Sequence, residues 1–183
     1  MIQNMRIGSR DFPIGGKTYL MGILNMTPDS FSDGGSYTRL EDALSHAERM
    51  IEEGADIIDV GGESTRPNYT RITDEEEIER VLPVIEAIRK NWDIPISIDT
   101  YKSRVAKAAC QAGADLINDI WGLKYDPDMA ETVKSCKAAV CIMHNRMSKD
   151  YSDFWKDFKA ELSESLSLAE EAGIAKDNII LDP

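Results

Sequence analysis

Six apolar segments divide the chain, and each ends in polar residues. They cover residues 18–25, 56–62, 95–100, 115–120, 138–144 and 178–183, and all are rich in Ile, Val and Leu with little polar alternation. That pattern predicts parallel strands buried on both faces. Between them the apolar positions recur at helical spacing. Leu40, Ala43, Leu44, Ala47, Met50 and Ile51 form one stripe, with Thr38-x-x-Glu41 as a capping box ahead and Gly54 just past the end. Thr73-x-x-Glu76 opens a second helix with Ile78, Val81, Leu82 and Ile85 on one face, and Pro83 inside it is expected to kink it. Thr100 is placed to cap a third helix with Val105, Ala108, Ala109 and Ala112 inward. A short fourth helix follows Asp126-Pro127. A fifth covers about 153–172, with Trp155, Phe158, Leu162, Leu166 and Ala169 inward and Gly173 as its stop. Ahead of all this, short apolar segments and Gly15-Gly16 predict a hairpin or small cap over residues 4–18.

A weak internal repeat supports the division. Glu53-Gly-Ala-Asp-Ile-Ile-Asp returns as Ala112-Gly-Ala-Asp-Leu-Ile-Asn, each time where a helix should stop and a strand begin. Six βα steps without a GxGxxG signature favour an α/β fold of the (β/α)8 TIM-barrel type over a doubly wound sheet. Such a barrel has eight strands and typically about 250 residues. The expectation is therefore one domain over 1–183 holding about six βα units and incomplete toward its C-terminus.

Composition narrows the partners. The chain has 183 residues, 42% hydrophobic and 30% charged, which is ordinary for a globular domain. A net charge of -12 argues against general binding to nucleic acid or anionic membranes. No apolar stretch approaches the roughly 20 residues that span a bilayer, and the N-terminus has no secretory h-region. Cys110, Cys136 and Cys141 form no CxxC pair and read as reduced thiols, so a cytoplasmic location is expected.

The strand ends carry the candidate chemistry. Met21 to Gly35 reads MGILNMTPDSFSDGG, an apolar run that stops at Asn25 and passes into a tract of short polar residues, Pro and Gly. The other segments end at Asp59-Val-Gly-Gly-Glu63, at Asp99, at Asn118-Asp119, at His144-Asn145 and at Asp182. Six polar termini at one barrel rim describe an active site better than six unrelated caps, because ligands of α/β barrels bind at the C-terminal ends of the strands. Asp59 and Asp119 are left as possible structural carboxylates. His144, with no partner carboxylate in sequence reach, reads as a pocket-lining or core residue.

MGILNMTPDSFSDGG, DIIDVGGESTRP, ISIDTYKS, LINDIWG, CIMHN and ILDP resemble, in order, the signature blocks of the dihydropteroate synthase family. The resemblance covers nearly the whole chain from about Arg6. It implies a (β/α)8 enzyme that joins 4-aminobenzoate to 6-hydroxymethyl-7,8-dihydropterin diphosphate, with Mg2+, and that sulfonamides inhibit. Asn25 then corresponds to the metal-side residue, with a loop cap as its alternative. Asp99, Asn118 and Asp182 correspond to the pterin set, Asp182 deepest. Thr65 corresponds to a diphosphate contact. Ser64, Arg66, Pro67 and Phe31 would shape the aminobenzoate pocket, loop packing being the alternative for Phe31. Asp33 and Asp99 are the residues assigned to catalysis, Asp33 by stabilising positive charge at the pterin methylene. The resemblance also implies a homodimer for the full-length protein. It places a Lys and an Arg-x-His beyond residue 183, so the chain alone is expected to be inactive or nearly so. The rival readings are a methyltetrahydrofolate-type pterin-binding methyltransferase and a non-catalytic pterin-binding module.

Overall fold

The computed structural model describes residues 4–27, 36–64, 71–148 and 150–183. A hairpin of β1 (Asn4–Ile7) and β2 (Arg10–Pro13) comes first. Then strand and helix alternate: β3 (Met21–Asn25), α1 (Ser36–Glu52), β4 (Ile57–Gly61), α2 (Asp74–Asn91), β5 (Ile96–Asp99), α3 (Ser103–Ala112), β6 (Leu116–Asp119), α4 (Met129–Cys136), β7 (Ala139–Met143), α5 (Phe154–Glu171) and β8 (Ile179–Asp182). β3 to β8 form one parallel sheet in sequence order, so every crossover leads to the adjacent strand. This is the partial barrel that the apolar pattern predicts. Each strand is found inside its expected segment, trimmed by one to three residues at an end.

The sheet's two faces do different work. Leu24, Ile58, Val60, Ile96, Ile98, Ile117, Val140 and Ile142 point outward and pack against Ala43, Ala47, Val81, Ile85, Ile88, Val105 and Ala109 of the helices. Burying each Ile or Val contributes roughly 1.5–3 kcal/mol, so this layer holds the helices on the sheet. On the concave face, Ile57, Leu116, Ala139 and Cys141 close on Ile7 and Phe12 of the hairpin. The hairpin therefore plugs the N-terminal mouth, and its turn falls between β1 and β2, ahead of Gly15-Gly16. Among the described residues no helix is long and apolar enough to cross a membrane.

Local signals hold at several ends and fail at others. Thr73 and Glu76 make the reciprocal capping box at α2, which runs on through Pro83. Asp153 caps α5 by accepting from Lys156 N at 3.1 Å. At Gly54 and Gly113, the repeat's glycines, φ is +104° and +119°, backbone that other residues rarely adopt. Thr38 lies within α1 rather than ahead of it. Thr100 does not cap α3: that helix starts at Ser103, whose N–H goes to Asp126 Oδ2 at 2.7 Å, and Thr100 Oγ1 accepts from Lys102 N instead. Trp155 and Leu166 of α5 are exposed, and its buried residues are Ser165 and Ala169. Period alone sets a helix's apolar stripe, but tertiary neighbours decide which part of it is covered.

A second anchor ties the helix layer to the strand starts. Arg89 of α2 donates to Gly113 O at 2.8 Å and Ile94 O at 3.0 Å, and is paired with Asp115. Asp115 Oδ2 also accepts from Ile96 N at 3.0 Å. Asp115→Ala would strand a backbone donor and a cation together. It is expected to cost about 2 kcal/mol in urea unfolding, and Asp115→Asn, which keeps an acceptor, about half of that.

Candidate functional site

Strand register assembles the site. Asn25 pairs with Gly61, Gly61 with Asp99, Asp99 with Asn118, and Asn118 with Cys141. Paired residues of neighbouring strands share a face, so Asn25, Asp99 and Asn118 stand in one row across the concave side. Gly61 leaves a gap in that row. A Cβ there would lie 3.3 Å from Asn25 Oδ1 and 3.5 Å from Asp99 Oδ2. Asp182 pairs with Met143 at the end of β8, two positions along from the Ile180–Cys141 pair, and so lies on the same face. Asp182 is exposed at the end of β8, which has one hydrogen-bonded neighbour among the described residues.

One layer below the row lie Asp59 and Ser97, a register pair two residues before Gly61 and Asp99. Asp59 is 4% exposed, and its Oδ2 accepts from Asn118 Nδ2 at 3.3 Å. Among the described residues, Asp59 Oδ1, Ser97 Oγ and Asp99 Oδ1 are buried without a hydrogen-bond partner. Buried polar atoms are ordinarily satisfied, so three orphans on one floor point to a ligand with donors to offer. The floor also strains its carboxylates. Burial, then the charge of Asp59, pushes the Asp99 carboxyl up to about 8. Burial raises Asp59 as well, with Ser97 and Asn118 opposing only in part.

Asp119 serves the structure. It faces the other side of β6 and accepts from Trp121 N at 2.9 Å and Leu123 N at 2.7 Å, folding the turn that follows. His144 does have a carboxylate partner, Glu161 of α5, at 2.8 Å from Nε2. That pair spans two elements, which sequence distance concealed. Ser64 is half-buried just past β4. Phe31, Asp33, Thr65, Arg66 and Pro67 lie outside the described residues.

Beside the row Glu63, already marked at the end of its strand, joins two buried charges that went unmarked in the sequence, Lys102 and Glu77. Lys102 donates to Glu63 Oε2 at 2.8 Å and Glu77 Oε2 at 2.7 Å, and Tyr101 OH donates to Glu63. Burial is the largest influence on each. At Glu63 the bonds from Lys102, Tyr101 and the Ile72 N–H together outweigh it and hold the carboxyl below its ordinary range, whereas Glu77 stays above it. Lys102, held by both carboxylates, lies above the ordinary lysine value. The cue that could have found them was Lys102 itself, three residues past a strand end that already carried Asp99.

What the row offers a cation is hard oxygen. Among the described residues no cluster of three His, Cys, Asp or Glu is arranged to hold a metal. The Asn25 amide oxygen at the strand end suits an ion that takes most of its ligands from substrate and water, which is the habit of magnesium and not of a structural zinc.

Comparison with known proteins supplies the context. The chain is 54% identical over 179 residues to a dihydropteroate synthase of Clostridium beijerinckii, covering 98% of this chain and 66% of that relative. The dihydropteroate synthase of Clostridium difficile, solved in the presence of pteroic acid, superposes with a TM-score of 0.90 at 48% identity over 92% of this chain and 65% of that one. The Xanthomonas albilineans enzyme, solved with 4-aminobenzoic acid, gives 0.92 at 40% identity over 100% and 67%. The chain thus spans about two thirds of the length of these proteins. The family described as pterin binding enzyme matches residues 21–183, nearly all of the barrel portion. With that match, on a sheet whose concave face carries the polar row, the chain belongs to the pterin binding enzyme family.

Proposed function

We propose that this chain is the pterin-binding part of a dihydropteroate synthase, which condenses 4-aminobenzoate with 6-hydroxymethyl-7,8-dihydropterin diphosphate to give 7,8-dihydropteroate and diphosphate. The observation that carries the reading is the row Asn25–Gly61–Asp99–Asn118 above orphaned oxygens on a buried floor. The names of the close relatives and the molecules bound to two of them support it.

A pterin edge alternates ring N–H, amino and carbonyl groups. Asp99 and Asp182 can accept from the first two, and the Asn118 amide can both donate and accept. A site of this kind rejects analogues without those hydrogens, since its acceptors would stay unpaired. Ser64, Thr65, Arg66, Pro67 and Phe31 are the residues we assign to diphosphate and aminobenzoate. The reaction is substitution at the pterin methylene. The C–O bond breaks with its electron pair leaving on diphosphate, the anilinic nitrogen forms the C–N bond, and that nitrogen then loses a proton to solvent. An electron-rich pterin supports positive charge at the methylene, so departure ahead of attack is favoured, with Asp33 and Asp99 stabilising that charge. Asn25 would hold Mg2+ together with diphosphate oxygens, and the bound ion supplies charge neutralisation that makes diphosphate a better leaving group. No protein nucleophile is required.

Calorimetry on the chain tests the assignment. The pterin diphosphate is expected to bind about tenfold more tightly with Mg2+ than with EDTA, and Asn25→Ala should erase that difference. No binding under either condition would reject the reading.

Asp99 gives a pH test. A ligand N–H needs the ionised carboxylate, and the ionised fraction grows about tenfold per pH unit below the pKa. Affinity for 6-hydroxymethyl-7,8-dihydropterin should therefore rise from pH 6 and level off near the Asp99 value of about 8. Stability should run the other way. A raised carboxyl pKa burdens the folded state more as pH climbs from the ordinary carboxylate range to about 8. Asp99→Asn is expected to flatten the binding profile and weaken affinity about ten- to a hundredfold. It should also make the chain more stable than the parent above pH 8. A variant that binds normally would remove Asp99 from the site.

A further inference from the structure

Asp59 is a buried carboxylate for which the fold has no evident use. It lies in the middle of β4, 4% exposed, in register with Ile23 on one side and Ser97 on the other, and forms no ion pair among the described residues. Asp119 is as deeply buried and shows the contrast. It takes two backbone N–H groups and so folds a turn. Asp59 folds no turn and caps no helix. Its hydrogen bond is from Asn118 Nδ2 at 3.3 Å to Oδ2, and its Oδ1 has no partner among the described residues. A buried carboxylate so thinly bonded costs stability. Its use therefore lies in the group it holds.

That group is the amide of a row residue. An asparagine amide has two ends of nearly equal size. Turned one way it shows a ligand Oδ1, and turned the other way it shows Nδ2 in the same place. The main chain of Asn118 is fixed, because the residue pairs with Asp99 and Cys141 and its carbonyl accepts from Thr100 N at 3.1 Å. Sheet pairing still leaves the amide free to turn. The thiol of Cys141, its register partner, is a weak donor and a weak acceptor and selects neither end. Asp59 does select. Its Oδ2 is an acceptor whether or not a proton sits on Oδ1, so it takes the Nδ2 end. Asn118 then presents Oδ1 and its second N–H in a fixed order.

We propose that Asp59 is a positioning residue that acts through Asn118, holding its amide by the Nδ2 end so that the row offers acceptor and donor to the ligand edge in one order. The proposal rests on the function argued above, and its readouts keep the two apart. They are the Asn118 side-chain amide protons in 15N-labelled chain, the urea midpoint, and the affinity for 6-hydroxymethyl-7,8-dihydropterin.

Asp59→Leu replaces both oxygens by methyl groups. Asp59→Asn keeps an acceptor but adds a donor, so either end of Asn118 can bond to it. In Asp59→Leu the Asn118 amide proton bonded to Oδ2 should lose its downfield shift, and the pterin should bind about tenfold more weakly. Asp59→Asn should weaken it about threefold. Neither variant should lower the urea midpoint, because each removes a buried charge without a cation, whereas a merely structural Asp59 would lower it. On an Asn118→Ala background, Asp59→Leu should change affinity by less than about twofold, since the group it acts through is gone. The proposal is overturned by a bonded amide proton that stays downfield in Asp59→Leu, by unchanged pterin affinity, by a lowered urea midpoint in both variants, or by a full tenfold loss on top of Asn118→Ala. If Asn118→Ala binds too weakly to compare, the amide protons and the urea midpoint decide. If the parent chain does not bind the pterin, the functional reading fails, and the same two readouts still decide the role of Asp59. If Asp59→Leu does not fold, Asp59→Asn decides by the same criteria at threefold.

Discussion

Carboxylates stacked on one concave sheet face are the constraint to which the rest of the molecule answers. Asp59, buried, and Asp99, half-buried, lie one layer apart on neighbouring strands, both pushed toward their protonated forms. Nothing in folding alone rewards this arrangement. Desolvation disfavours each charge, and their mutual repulsion adds to it. The fold tolerates the cost because the opposite face of the same strands is unbroken Ile, Val and Leu against the helices. The outer layer supplies the stability that the inner floor gives up. Binding sites are commonly arranged so, with local destabilisation held in place by a rigid surround. A ligand that carries N–H donors to the floor relieves the penalty when it binds.

Much of this was legible from residue order. Strands buried on both faces read as continuous apolar runs, so all six were found with only their ends misjudged. Asn25, Asp99 and Asn118 could be placed at the rim because each lies at or beside its strand's C-terminal residue, whatever the register. Asp59 and Ser97 were harder. Their place beneath the row depends on counting two residues back along each strand and on knowing that β4 and β5 are neighbours in register. The Glu63–Lys102–Glu77 cluster and the His144–Glu161 pair were not legible, because each joins elements far apart in sequence. Thr100 shows the opposite failure. A sound local cap signal was overridden by Asp126, which reaches α3 from 23 residues away.

The cluster also ties together elements that the sequence keeps apart. Glu63 after β4, Ile72 before α2 and Lys102 before α3 share one set of charged, buried hydrogen bonds. Movement of Glu63 or Ile72 would break bonds to Lys102, and Lys102 cannot shift without disturbing the start of α3. The residues that follow β4 and β5 are thereby fixed to a common frame, which is what orientation of a bound ligand requires.

Position within the sheet grades how firmly each site residue is held. β4, β5, β6 and β7 have a hydrogen-bonded neighbour on both sides, and their described residues are almost all buried. β3 and β8 have one such neighbour each among the described residues, and Ile23 and Leu181 on them are 61% and 45% exposed. Asp99 and Asn118 stand on strands paired on both sides among the described residues. Recognition of a flat heterocycle by hydrogen bonds tolerates little error in direction, so this pair is suited to read its edge.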